Sequence, residues 1–108
     1  MLFRSDYIHV EDLASAHIAA LHYLEEGRNS IALNCGYNHG YSVREVLKAF
    51  EKVVGCKLPV VEGDRRPGDV PFLVADSSLI VKTLKWKALY NDLTPMIQSA
   101  WEWEQKNT

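Results

Sequence analysis

Thiols are scarce in this chain of 108 residues: Cys35 and Cys56 stand alone, with no C-x-x-C spacing between them. A disulfide framework is excluded, and the cytoplasm is the expected compartment. Charge of one sign is equally scarce, because twelve Lys and Arg meet fourteen Asp and Glu for a net charge of -2. That balance gives no whole-surface field for nucleic acid or a membrane. No apolar run approaches the roughly 20 residues of a membrane span, and the opening MLFRSDYIHV lacks a signal peptide's apolar stretch. The glycines Gly27, Gly36, Gly40, Gly55, Gly63 and Gly68 form neither G-x-G-x-x-G nor a Walker loop. No dinucleotide or phosphate cradle of those kinds is encoded. No tyrosine has a lysine four residues later, so no acid/base pair of that spacing is present. His17 and His22 are five apart, which does not place them together on a helical face as metal ligands; structural roles are expected for these two and for His9 and His39.

What is present is ordinary globular material, 47% hydrophobic and 24% charged. It is read as one continuous unit over residues 1–108. The spacing predicts a strand over Asp6–Val10 and a helix over Glu11–Leu24, with Glu11 and Asp12 favourably placed in its first turn. Leu13, Ala14, Ala16, Ile18, Ala19, Ala20, Leu21, Tyr23 and Leu24 cover most of that helix's circumference. A helix apolar nearly all round belongs in an interior, yet this chain has few elements with which to enclose it. Ser30–Cys35 reads as a second strand. Ser42-Val43-Arg44-Glu45 has the form of a capping box opening a helix that Gly55 stops, with Val43, Val46, Leu47, Phe50, Val53 and Val54 on one face. Leu58–Val61 is expected as a short edge strand, since Pro59 cannot donate to a central ladder. Asp76 is expected to cap a short helix reaching Leu84, and Thr94-Pro95 to open the last one. The order is strand, helix, strand, helix, strand, helix, helix. That is α/β composition with too few strands for a full doubly wound sheet.

The most informative stretch is Asp64-Arg65-Arg66-Pro67-Gly68-Asp69. Residues 66–69 fit a type II turn, proline supplying φ near -65° and glycine the positive φ. Such a loop holds two guanidinium groups and two carboxylates together. Arginine's planar fork suits a phosphate, and a carboxylate suits the paired hydroxyls of a ribose. A solvated surface turn with local ion pairs has the same spacing. Cys35 reads as a small buried hydrophobe, and Trp86, Trp101 and Trp103 read as packing residues because no basic residues interleave with them.

Four segments then resemble one family in order. Asp6-Tyr7-Ile8-His9-Val10-Glu11-Asp12-Leu13-Ala14, followed by His17 and Ala20-Leu21, is similar to the R-D-Y-I-H-V-x-D-L-A-x-x-H-x-x-A-L stretch of UDP-glucose 4-epimerases, which are extended short-chain dehydrogenase/reductases. Leu33-Asn34-Cys35-Gly36 with Gly40–Val46, Arg65–Asp69 leading to Ala75-Asp76, and Trp101-Glu102-Trp103 complete the match. The resemblance runs over nearly the whole chain but covers only about the last third of a typical member. Parts of it are shared by sugar-nucleotide dehydratases and dehydrogenases, an alternative that the Arg-Arg-Pro-Gly-Asp loop and the Trp-Glu-Trp ending disfavour.

The resemblance implies a small substrate-binding C-terminal region with a few short strands, about four helices and no complete Rossmann sheet. In the whole enzymes NAD oxidises the sugar at C4 and returns hydride to the other face. The family's NAD loop and Tyr-x-x-x-Lys pair are not in these residues. Inactivity alone is therefore expected, with no NAD bound by this chain by itself and weak binding of UDP-sugar at best. By motif position Arg66 would meet the diphosphate, with Arg65 beside it, and Asp69 the uridine ribose. The family arginine before Asp-Tyr aligns with Ser5. Arg4 is one residue early, and in a strand a shift of one turns a side chain to the opposite face. Leu73 stands where some epimerases carry a tyrosine that limits the sugar pocket. A non-catalytic binding or assembly module is the other reading. The uncovered apolar helix leads in either case to an expectation of self-association, by strand exchange at an exposed edge.

Overall fold

The computed structural model describes residues 4–64, 67–68 and 70–107. The order of element types is as the sequence predicts: β1 (Arg4–Ser5), α1 (Val10–Glu25), β2 (Tyr41–Ser42), α2 (Val43–Val54), β3 (Phe72–Leu73), α3 (Ser78–Leu84) and α4 (Leu93–Lys106). The strands, however, fall on other residues. β1 is central, pairing antiparallel with β2 (Arg4 opposite Ser42, Ser5 opposite Tyr41) and parallel with β3 (Arg4 opposite Phe72, Ser5 opposite Leu73). The expected strand over Asp6–Val10 is a correction: its chain leaves the ladder at once. Asp6 Oδ2 accepts the Ala75 amide at 2.6 Å, and the His9 amide donates to the Tyr37 hydroxyl at 3.0 Å. Side-chain oxygens thus take the bonds that a strand partner would have supplied.

The expected strands at Ser30–Cys35 and Leu58–Val61 are likewise not formed among the described residues. The first pairs with no strand among the described residues. In the second the Leu58 amide is taken at 2.8 Å by the Glu51 carboxylate of α2, and Glu62 is ion-paired with Arg44. β2 and β3, at two residues each, were too short for an alternation to reveal.

The helices follow their local chemistry closely. His9 Nδ1 caps α1 by accepting the Glu11 amide at 3.0 Å. α2 has the full capping box, Ser42 Oγ taking the Glu45 amide and Glu45 Oε1 the Ser42 amide, and ends at Gly55 with φ +85°. α3 starts after Ser77; Asp76 serves it from one residue earlier, its Oδ1 accepting the Ser78 amide and hydroxyl. α4 begins at Leu93 with Asp92 at its N-cap position, two residues before the expected cap at Thr94. Pro95 is tolerated because the first-turn amides have no intrahelical partner.

α1 packs with α3 and α2 with α4, and the small sheet lies beside α2. Ile80 of α3 and Trp86 close on Ala16 of α1, with Ile8, Leu33 and Tyr37 around them. On the other side Phe50 of α2 meets Trp101 edge-on at 5.8 Å. Trp86 and Trp101 therefore pack as expected, but Trp103 is 66% exposed and does not. Gly40 sets how closely the turn before β2 can approach the sheet. A Cβ there would lie 2.4 Å from Val74 Cγ2. Gly40→Ala is expected to cost about 1–3 kcal/mol by overpacking, read as a lowered urea midpoint at unchanged slope.

Candidate functional site

The sheet joins two of the regions that the motifs single out. The parallel β1–β3 pairing sets Ser5 against Leu73, at the end of the loop that contains Pro67 and Gly68. Leu73 is 65% exposed, so β3 presents it at the surface rather than in the core. Gly68 has φ +85°, as the third residue of a type II turn requires. Arg65, Arg66 and Asp69 lie outside the described residues. Arg4 is already engaged elsewhere: its Nη1 donates to the Gly40 carbonyl at 3.2 Å and pairs with Glu45 Oε1 at 2.9 Å. The Ser42 amide, the Ser42 hydroxyl and then Arg4 hold the Glu45 carboxyl below the usual range. Arg4 is thus tied to α2.

The scaffold behind this edge is an interior polar hub that the sequence reading missed. Asp12 is 1% exposed. Its carboxylate accepts the Tyr37 hydroxyl at 2.5 Å and the Leu89 and Tyr90 amides at 2.9 Å each. Its backbone carbonyl accepts the buried Trp86 indole N–H at 3.1 Å. Burial alone would raise the Asp12 carboxyl. The Tyr37 hydroxyl, the two amides and nearby His9 outweigh it, and the group is held below its ordinary value of 3.8. Burial, then the bond to Asp12, pushes the Tyr37 hydroxyl well above its ordinary 10. A depressed carboxyl contributes stability that is complete above 3.8 and lost as pH falls through the lower folded value. A raised phenol contributes below 10 and is lost above it. The urea midpoint is therefore expected to fall on acidification below pH 3.8, and Asp12→Asn to flatten that fall.

Other groups with catalytic potential are held in structural roles. Because His9 Nδ1 accepts the Glu11 amide, the ring proton sits on Nε2 and points to Ser99 Oγ at 3.1 Å. Ser99 in turn donates to the Met96 carbonyl, so the histidine does not act as its base. Cys35 is half-buried, and burial followed by the charges of Asp12 and Asp6 raises its thiol, which keeps it protonated. Asp6 Oδ1 is buried without a partner among the described residues, beside Gly36.

Each helix start carries or adjoins a carboxylate: Glu11 and Asp12 at α1, Glu45 at α2, Asp76 at α3 and Asp92 at α4. A dinucleotide's diphosphate seeks free amides at a helix N-terminus, and carboxylates at these starts oppose a further anion there.

No protein-family model matches the chain. By sequence, it is 47% identical over 100 residues to a UDP-glucose 4-epimerase of Azospirillum brasilense, covering 93% of this chain and 29% of that protein. By structure, it superposes with TM-score 0.89 and 45% identity on the UDP-glucose 4-epimerase of Stenotrophomonas maltophila solved with bound NAD and formylated UDP-arabinopyranose, covering 94% of this chain and 30% of that one. The Bifidobacterium longum UDP-glucose 4-epimerase, in complex with NAD+ and UDP, gives TM-score 0.83 at 41% identity, with 94% and 30% covered. The fold thus matches part of these solved structures, without a complete Rossmann sheet among the described residues. The chain is similar to a C-terminal portion of UDP-glucose 4-epimerases along 93–94% of its own length, and spans about 30% of the length of these relatives. Among the described residues no helix is long and apolar enough to cross a membrane.

Proposed function

We propose that residues 1–108 form the UDP-sugar-binding part of a UDP-glucose 4-epimerase, working in the cytoplasm and inactive by itself. The observation that carries this reading is similarity to epimerases along 93–94% of the chain. In this assignment Arg66 donates to the diphosphate with Arg65 beside it, Asp69 accepts from the ribose hydroxyls, and Leu73 borders the sugar. Ser5 offers a hydroxyl where the family motif has a guanidinium, which weakens the grip on the diphosphate. NAD, when bound in the whole enzyme, supplies the hydride chemistry. These residues lack the glycine loop and the Tyr-x-x-x-Lys pair, so that cofactor is held by a portion of the enzyme other than this one.

Binding by this portion alone is weak, since part of a pocket buries little of its ligand. The uncovered apolar face of α1 also makes the chain self-associate. Supplied with NAD and UDP-glucose, the purified chain is expected to form no UDP-galactose, while millimolar UDP-glucose shifts the amide resonances of residues 64–73. Turnover would overturn the claim of inactivity, and unmoved loop resonances would overturn the assigned site.

A further inference from the structure

The stretch that carries the Arg-Arg-Pro-Gly-Asp motif is long and has few ties. Between the end of α2 at Val54 and the start of α3 at Ser78, the only regular structure among the described residues is the two-residue β3. The outgoing half is fastened to α2 by the Glu51 carboxylate, which accepts the Leu58 amide at 2.8 Å, and by the Arg44–Glu62 pair. Both side chains of that pair are more than 60% exposed, so it adds little. The returning half meets β1, where the Arg4 amide donates to the Pro71 carbonyl at 2.9 Å and two residues of each strand pair. A ladder that short is marginal in water.

Asp6, one residue past β1, supplies a further tie. Its Oδ2 accepts the Ala75 amide at 2.6 Å across 69 positions of sequence, a short, charge-assisted bond. The other oxygen, Oδ1, is closed off from solvent without a donor among the described residues. It lies against Gly36, where a Cβ would come within 3.4 Å of it and 3.5 Å of the Ala75 Cβ. Atoms of this chain bury that oxygen, whatever else packs on the molecule. A carboxylate ordinarily keeps both oxygens hydrated or paired. Here one goes without, and the bond to Ala75 is kept. Costly local arrangements of this kind concentrate beside functional sites.

We infer that Asp6 is a positioning residue for the nucleotide-sugar loop. By holding the Ala75 amide it fixes where residues 64–73 return to β1, and so where Arg66 and Asp69 can meet a diphosphate and a ribose. It acts through the loop rather than on the ligand, and the inference rests on the loop's assignment under the proposed function. Apparent affinity scales with the fraction of time that a binding loop is competent. Losing the tie lowers that fraction while every ligand-contacting side chain stays in the chain.

Asp6→Ala, Asp6→Asn and Phe50→Leu test this in the 108-residue chain. Amide exchange is read at residues 72–75, and UDP-glucose titration from the resonances of residues 64–73. Phe50 packs on Trp101 between α2 and α4, so its variant loosens the fold without touching the tie and serves as the control. In Asp6→Ala the Ala75 amide is expected to exchange about 10- to 100-fold faster, the loss of one bond to a charged group. The initial slope of the titration falls about tenfold if the loop is competent a tenth of the time. Asp6→Asn, whose side-chain carbonyl still accepts the amide, recovers most of both, and Phe50→Leu leaves the slope unchanged. Wild-type affinity in Asp6→Ala, no recovery in Asp6→Asn, or an equal loss in Phe50→Leu would overturn the inference and leave the site assignment standing. An Asp6→Ala chain without helical circular dichroism would overturn it too, by making Asp6 a residue of the general fold. A wild-type chain whose loop resonances ignore UDP-glucose overturns the site assignment and this role with it, even where the exchange data uphold the Ala75 bond.

Discussion

Asp12→Ala is expected to lower stability by about 3–5 kcal/mol, as several buried donors lose a shared acceptor. The loss comes from three directions at once. The Tyr37 hydroxyl, which donates to the carboxylate and accepts the His9 amide, loses its acceptor. The Leu89 and Tyr90 amides lose theirs, and each donor left buried without a partner costs about 1–3 kcal/mol. Because these bonds fasten the segment after α3 onto α1, the Trp86 indole that packs on Ala16 also loses its setting. For a domain whose total stability is of order 5–15 kcal/mol, this removes a large share. Urea unfolding followed by circular dichroism measures it; a loss under about 1 kcal/mol would show that the hub is not what holds α1 and the 85–90 segment together.

Local signals carried the helices well. The Ser42–Glu45 box and Gly55 delimit α2 as the sequence implies, since both act within one turn of their own residues. The strands were less legible. The Asp6–Val10 and Ser30–Cys35 runs have strand character, but a strand also needs a partner edge, and among the described residues neither forms a ladder. Tyr41–Ser42 and Phe72–Leu73 do pair, through contacts set by distant parts of the chain. Asp12 was legible only as a favourable charge in a first turn, because its partners at Tyr37, Leu89 and Tyr90 lie 25 to 78 residues away. The apolar circumference of α1 was the most useful mismatch. It anticipated the exposed Ile18, Leu21 and Leu24 before any contact was known. At the candidate site, the contacts of Arg4 with Gly40 and Glu45 were not legible in the sequence, because both partners lie about 40 residues away.

Arg66→Ala is the second large expected effect. A hydrogen bond to a charged group is worth about 1.5–3 kcal/mol, so its loss weakens UDP-glucose binding by roughly 10- to 100-fold. The assignment to Arg66 comes from the Arg-Arg-Pro-Gly-Asp motif, and two features of the chain strengthen the expectation. Ser5 brings no charge to the edge beside Leu73, and Arg4 is held by Glu45. The remaining arginines of the loop must then supply most of the attraction for a diphosphate. Lys at position 66 should recover only part of the affinity, because an ammonium lacks the bidentate fork.

The most direct test of the epimerase assignment is a calorimetric or NMR titration of the wild-type chain and Arg66→Ala with UDP-glucose into the millimolar range, at one fixed ionic strength. Saturable binding by the wild-type chain that shifts residues 64–73 and vanishes in Arg66→Ala is the predicted result. Binding of equal strength in both, or none in either, would contradict it.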